Sequence, residues 1–312
     1  MSIVDKSDKI SKYKYSEIFH SFQGEGKYTG VPTSWIRFFL CNLQCDGFGQ
    51  KDPTDPSTYI LPFQDFDVSS VKRIEDLPVW EYGCDSSYTW AKKFRHLAHD
   101  DTAVEICDKI QDVLKHPSNP KGLFLHPTSG QWTHHAYTGG EPMLNQEAMV
   151  DITVEFWRRK NIPNYVTVET NGTKPFKKNV QLDTFIKDMY GPKSDDREWF
   201  WSCSPKLWST AGEKTSKAIC PEVVASYAAV SNHGQLKYVV NGTNDSWREV
   251  EVYTKMFRDA GVDWPVHIMP VGATLEEQEL PEVAEIAVEA IKRGYNVSGR
   301  LHCYIFGNKI GT

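Results

Sequence analysis

The chain has 312 residues, is 40% hydrophobic and 24% charged, and carries a formal net charge of −6. That acidic balance argues against a protein whose main task is neutralising nucleic-acid phosphates, and no apolar run nears the roughly 18–20 residues of a bilayer span. The N-terminal stretch MSIVDKSDKISKYKYSE lacks the apolar centre of a signal peptide, and seven scattered cysteines are too few for a disulfide scaffold. A cytoplasmic protein is expected, with reduced thiols, no membrane contact and no direct nucleic-acid partner.

The first strong signal is Thr33 to Leu40 (TSWIRFFL), a β-rich apolar run that leads into Cys41. From Asp46 to Gly83 the texture changes to Asp, Pro and Gly with short apolar patches. It reads as an irregular insertion with too few apolar residues for a core. Ala103, Ile106, Cys107, Ile110, Val113 and Leu114 then recur at helical spacing. Trp132 to Thr138 predicts a strand ending in Gly139-Gly140, followed by a helix capped near Asn145 with Met149, Ile152 and Phe156 inward. Next come a strand at Tyr165 to Glu169, a helix from Val180 to Met189, and strands at Trp199 to Ser202 and Leu236 to Val240, with a helix near Val223 to Ala229 between these two. Ser246 to Ala260 is predicted helical, with Trp247, Val250 and Phe257 inward. Val266 to Met269 is a strand, Glu282 to Arg293 a helix, and Leu301 to Phe306 a last extended segment. Such alternation predicts βαβ units, an α/β fold and a mostly parallel sheet. One domain over residues 1–312 is expected, interrupted by the insertion at 46–83.

In such sheets ligands gather beyond the carboxyl ends of the strands. The unusual residues fall there: Cys41, Thr138-Gly139-Gly140-Glu141-Pro142, Glu169-Thr170-Asn171-Gly172-Thr173, Ser202 to Lys206, and Met269-Pro270-Val271-Gly272. Cys41 and Cys45 lie four apart in a loop, which lets both thiolates reach one metal centre; a pair of buried small apolar residues fits the same spacing. Cys84 stands where the insertion returns, and three soft ligands would leave one iron of an iron–sulfur cluster open. Gly139-Gly140 and Asn171-Gly172 also suit plain turns, and Arg37, in an apolar strand, needs a partner whatever its role. Cys107 reads as helix core and Cys203 as packing, while Cys220 and Cys303 sit in no motif.

The phrases Glu17-Ile18-Phe19-His20-Ser21-Phe22-Gln23-Gly24-Glu25-Gly26, Gly30-Val31-Pro32 and Trp35-Ile36-Arg37-Phe38 stand beside CNLQC, TGGEP, ETNGT, SPK and a final Leu301-His302. Together they resemble the radical S-adenosylmethionine enzymes, and within them the 7-carboxy-7-deazaguanine synthase family. The resemblance runs from Tyr15 to the C-terminus apart from the insertion, and implies a partial, modified (β/α) barrel. The superfamily pattern is C-x3-C-x2-C. Here Cys41 and Cys45 match, position 48 is Phe48, and Cys84-Asp85-Ser86 resembles a displaced third cysteine and its tail, giving C-x3-C-x38-C.

Carried over position by position, the resemblance implies a 4Fe–4S cluster on Cys41, Cys45 and Cys84. S-adenosylmethionine would lie against Gly83, Cys84, Asp85, Gly139, Gly140, Glu141, Glu169, Asn171, Ser204, Pro205, Lys206, Met269, Pro270, Val271 and Gly272, with the Glu141 carboxylate accepting from its ammonium. The substrate 6-carboxy-5,6,7,8-tetrahydropterin would meet Phe22, Gln23, Gly24, Arg37, Thr138 and the terminal carboxylate of Thr312. Mg²⁺ would bind Ser86, which stands where the family has Thr. The implied activity is that of a lyase in 7-deazapurine and queuosine biosynthesis: hydrogen abstraction at C6, ring contraction with loss of ammonia, and release of 7-carboxy-7-deazaguanine. An external electron donor of flavodoxin or ferredoxin type and a homodimer are implied as well. Two rival functions stay open from the sequence: a radical activase acting on a protein partner, and a binding homologue whose insertion has removed the cluster.

Overall fold

Residues 11–191 and 196–311 are described by a computed structural model. Among them nine strands form one sheet: β1 (Lys12–Phe22), β2 (Pro32–Phe38), β3 (His99–Thr102), β4 (His134–Gly139), β5 (Tyr165–Thr170), β6 (Glu198–Cys203), β7 (Gly234–Val240), β8 (Val266–Pro270) and β9 (Asn296–Val297). Their order is β3-β1-β2-β4-β5-β6-β7-β8-β9, antiparallel where β1 meets β3 and β2, and parallel from β2 through β9. This is the mostly parallel α/β sheet that the alternating pattern predicts. β3 and β9 are its edges, so the sheet stays open.

Successive residues of a strand face opposite sides, and here the two sides differ in chemistry. Ile36, Phe38, Tyr137, Val166, Val168, Trp199, Trp201, Leu236, Tyr238 and Ile268 join the main apolar core. The helices that connect the strands complete it: Ala103–Leu114, Gln146–Arg158, Leu182–Tyr190, Pro221–Ala228, Asn244–Asp259 and Pro281–Lys292. The alternate positions carry Arg37, Thr138, Glu169, Ser202, Gln235, Lys237 and His267 on the other side. At the amino end of that side Tyr28 packs edge-on against His134 and Phe200 and donates to Glu198, forming a floor.

Three features depart from expectation. β1, unassigned by patterning, is an 11-residue strand; its Lys and Tyr alternation is too polar to stand out, and pairing on both sides makes it a strand. Leu301–Phe306 is a helix rather than an extended segment. The spacing of Leu301, Cys303 and Ile305 mimics a strand, but Gly307 takes a left-handed turn at φ 63° and its N–H closes onto Cys303. Third, the insertion does reach a small core. Phe63, Ile74, Leu77 and Trp80 pack with Tyr88, Ala91, Phe94 and Leu97, so residues after Gly83 complete a cluster that the insertion alone could not. No helix among the described residues is long and apolar enough to cross a membrane.

Candidate active site

A cavity of about 300 Å³ lies at the carboxyl ends of the strands, at the lower limit for small-ligand sites. Cys41 and Cys45, on the loop after β2, line it together with Cys84. The insertion closes at its neck, where Gly83 N–H donates to Phe48 O at 2.8 Å. Phe48 occupies the position at which the uninterrupted spacing would put the third cysteine. That hydrogen bond therefore returns Cys84 beside its expected place, and Cys41, Phe48 and Cys84 pack around Leu43, Cys45 and Ala211. Glu213 shapes the loop by accepting from Gln44 N–H at 2.6 Å and Cys45 N–H at 3.0 Å, while Cys45 sits at φ 55°.

Burial pushes the Cys41 thiol up to about 11 and the Cys84 thiol up to about 12, and raises Cys45 well above its ordinary value. Such thiols are neutral until a metal centre displaces their protons. Among the described residues no three His, Cys, Asp or Glu groups converge tightly enough for a single ion. Three soft ligands around one end of a cavity instead fit a cluster, which spans more space than one ion.

Of the other residues assigned to the cofactor, Gly83, Asp85, Gly139, Gly140, Glu169, Asn171, Ser204, Lys206, Met269, Pro270, Val271 and Gly272 line the cavity. Glu141 and Pro205 do not. The fully buried Glu141 carboxylate accepts from Thr170 Oγ1 (2.7 Å), Asn171 N–H (2.8 Å) and Met143 N–H (2.9 Å). It braces the segments that follow β4 and β5. Gly139 and Gly140 likewise have an internal reason: a Cβ on either would collide with the backbone of Phe38 or Leu40 at the end of β2. Lys206 Nζ donates to Ser204 Oγ at 3.0 Å and lies over the Phe48 ring.

Phe22, Gln23, Gly24, Arg37 and Thr138 line the same cavity, and Thr312 lies outside the described residues. The partner that Arg37 requires is Glu17, its register neighbour on β1, at 2.6 Å; Tyr88 O–H donates to the same oxygen at 3.0 Å. Glu169 turns toward β1 and β7, accepting from Gln23 Nε2 at 2.9 Å and Lys237 Nζ at 3.2 Å. Lys237 also reaches Glu25 at 2.5 Å, and Glu25 accepts from Arg300 Nε at 3.1 Å. Burial works against each of these charges, yet Lys237 and Arg300 hold Glu25 far below the usual carboxylate range, and the two glutamates keep Lys237 protonated. Lys237 and Arg300 are functional candidates that sequence reasoning missed, while Glu25 and His302 stood in quoted phrases without an assigned role. The signal for Lys237 was a single charge in the otherwise uncharged strand QLKYVV.

Ser86 does not fit Mg²⁺. Its hydroxyl donates to Asp85 Oδ1 at 3.1 Å and accepts from Arg37 Nη1 at 3.3 Å, and Asp85 Oδ2 takes Arg300 Nη2 at 2.7 Å. A divalent ion would have to sit between two guanidinium groups with the nearest carboxylate already paired.

Fold and site define an α/β protein whose open, mostly parallel sheet holds three thiols over a charged cavity. No protein-family model matches the chain. It is 26% identical over 311 aligned residues to the 7-carboxy-7-deazaguanine synthase of Halobacterium salinarum, covering 94% of this chain and 90% of that protein. The 7-carboxy-7-deazaguanine synthase of Rhodopirellula baltica is 24% identical over 297 residues, covering 95% and 88%. The crystal structure of QueE from Escherichia coli superimposes with a TM-score of 0.49 at 16% identity, covering 92% of this chain and 93% of that one. The chain is a distant homologue of the 7-carboxy-7-deazaguanine synthase family over nearly its full length.

Proposed function

We propose that this chain is a radical S-adenosylmethionine lyase that converts 6-carboxy-5,6,7,8-tetrahydropterin to 7-carboxy-7-deazaguanine with loss of ammonia. The observation that carries the reading is the return of Cys84, across its insertion, to the cavity that also holds Arg37, Gln23 and Thr138. Cys41, Cys45 and Cys84 would hold the 4Fe–4S cluster, and Gly139, Asn171, Ser204, Lys206 and Met269 to Gly272 would hold S-adenosylmethionine. Together these groups supply one-electron reduction and hydrogen-atom abstraction.

The protein's share is binding and placement. Arg37 offers the face not engaged by Glu17 to a substrate carboxylate, as its planar fork allows. Gln23, Glu169 and Lys237 fix one another, so the polar groups facing the pterin keep their geometry before it arrives. Lys237 Nζ holds its proton beside two carboxylates, ready to donate a hydrogen bond and not to act as a base. Phe22, stacked on Phe306, and Val239 keep water from the reacting carbon. An external flavodoxin- or ferredoxin-type donor and a homodimer belong to this proposal. The test is anaerobic cluster reconstitution followed by incubation with the pterin, cofactor and reductant; cluster-loaded protein that forms no 7-carboxy-7-deazaguanine by mass spectrometry overturns it.

A further inference from the structure

We infer that Arg300 takes the place that a divalent cation would hold beside Ser86, so that this chain binds and turns over its carboxylated substrate without Mg²⁺. The inference rests on the substrate class proposed above. Its ground is the way the cavity's charges are already assigned. Arg300 is largely buried and spreads its guanidinium over three acceptors: Asp85 Oδ2 (2.7 Å), Glu25 Oε1 (3.1 Å) and Gly272 O (2.6 Å). Its position is fixed by the final helix. Leu301 N–H donates to Gly24 O at 2.9 Å, and the His302 ring fills the space that a side chain at Gly24 would need. Arg37 meanwhile donates to Ser86 Oγ.

A small dication needs several oxygens at about 2.1 Å in near-octahedral order. Asp85 and Ser86 supply the side-chain oxygens of the Cys84-Asp85-Ser86 turn that could begin such a set; Asp85 Oδ2 and Ser86 Oγ are each bonded to a guanidinium, and Asp85 Oδ1 takes the Ser86 hydroxyl. Glu25 and Glu169 on the cavity wall are engaged too, by Lys237 and Arg300 and by Lys237 and Gln23; Glu17, whose Oε1 takes Arg37 and Tyr88 and whose Oε2 is buried without a partner, does not line the cavity. The site therefore carries its own cation with a fixed fork, and a substrate carboxylate entering beside Ser86 meets two guanidiniums.

The experiment measures binding of 6-carboxy-5,6,7,8-tetrahydropterin to the cluster-loaded enzyme, and turnover of it, in excess EDTA and across a millimolar Mg²⁺ series. Wild-type affinity and rate should stay within about twofold throughout. Arg300→Gln should lose about tenfold or more in affinity in EDTA, and Mg²⁺ should restore part of it because the Asp85 carboxylate has been released. Ser86→Thr, which leaves the fold's contacts in place, should stay indifferent to Mg²⁺. A wild-type enzyme that binds or reacts tenfold better with Mg²⁺, an Arg300→Gln variant of unchanged affinity in EDTA, or a Ser86→Thr variant that gains a Mg²⁺ response overturns the inference and leaves the lyase proposal standing. Metal-independent pterin binding with no product under any condition does the reverse.

Discussion

On the helix-covered side of the sheet Trp199 and Trp201 are enclosed by Tyr137, Tyr190 and Tyr227; on the opposite side of neighbouring strands Glu169 and Lys237 are hidden from water too, but among charges. The same strands supply both sides. The first is held by area removed from water, at about 25 cal/mol per Å², and tolerates any close-packed apolar solution. The second is held by pairing, and each member is stable only while its partners remain. Burial alone therefore does not distinguish a core from a site; what happens when one residue is removed does.

The largest effect expected is on the thiols, which belong to neither pattern. Cys84→Ala should reduce bound iron from about four atoms to near none, measured by iron and sulfide assay, with a thermal midpoint close to that of the metal-free parent. Next come one variant from each side. Trp199→Ala should cost about 3–5 kcal/mol through the cavity it leaves, and Lys237→Met a similar amount by stranding Glu25 and Glu169. Urea titrations at two pH values separate them. The Lys237→Met deficit should shrink in acid as the stranded carboxylates take protons, whereas the Trp199→Ala deficit should not; equal pH profiles would dissolve the distinction between the two sides.

A graded effect, smaller within any one pH unit, belongs to two adjacent imidazoles, one on each side. Burial lowers His134 from 6.5 to about 4, helped by the charge of Lys27, and lowers His135 to about 3. Below 6.5 the unfolded chain binds protons that the folded chain refuses, so stability falls with falling pH through the window from 6.5 toward 4. The slope should reach about 1.4 kcal/mol per pH unit for each imidazole, read from urea midpoints. Smallest is Glu141→Gln, which should cost about 1–3 kcal/mol yet leave cofactor affinity within about threefold, by equilibrium dialysis, because the carboxylate does not line the cavity. A large loss of affinity would place Glu141 in the site after all.

The helix-facing residues of β2 and β4 to β8 were legible because a covered parallel strand alternates apolar with anything else, and Phe38, Tyr137, Trp201 and Tyr238 fall on that beat. The thiols, Arg37, Gln23 and the glycine turns were legible because rare residues cluster at strand ends and match a known phrase. The meeting of Lys237, Glu25 and Arg300 was not. Each is one charge in an ordinary context, and their meeting depends on tertiary distances between residues more than 200 positions apart. Glu141 marks a second limit: a motif fixes a residue's type at a place but not the direction of its side chain, and here the carboxylate accepts from Met143 and Asn171 N–H and from Thr170 Oγ1.

The hydrogen bond from Gly83 to Phe48 reaches beyond this site. A loop whose two ends touch can grow or shrink without moving what it delivers. Lengthening the stretch between Cys45 and Cys84 from two residues to 38 costs roughly 3 kcal/mol of closure entropy. Burial of Phe63, Ile74, Leu77 and Trp80 in the second cluster can offset that. Sequence distance between the thiols is then a free variable for evolution, and contact at the neck is the quantity under constraint.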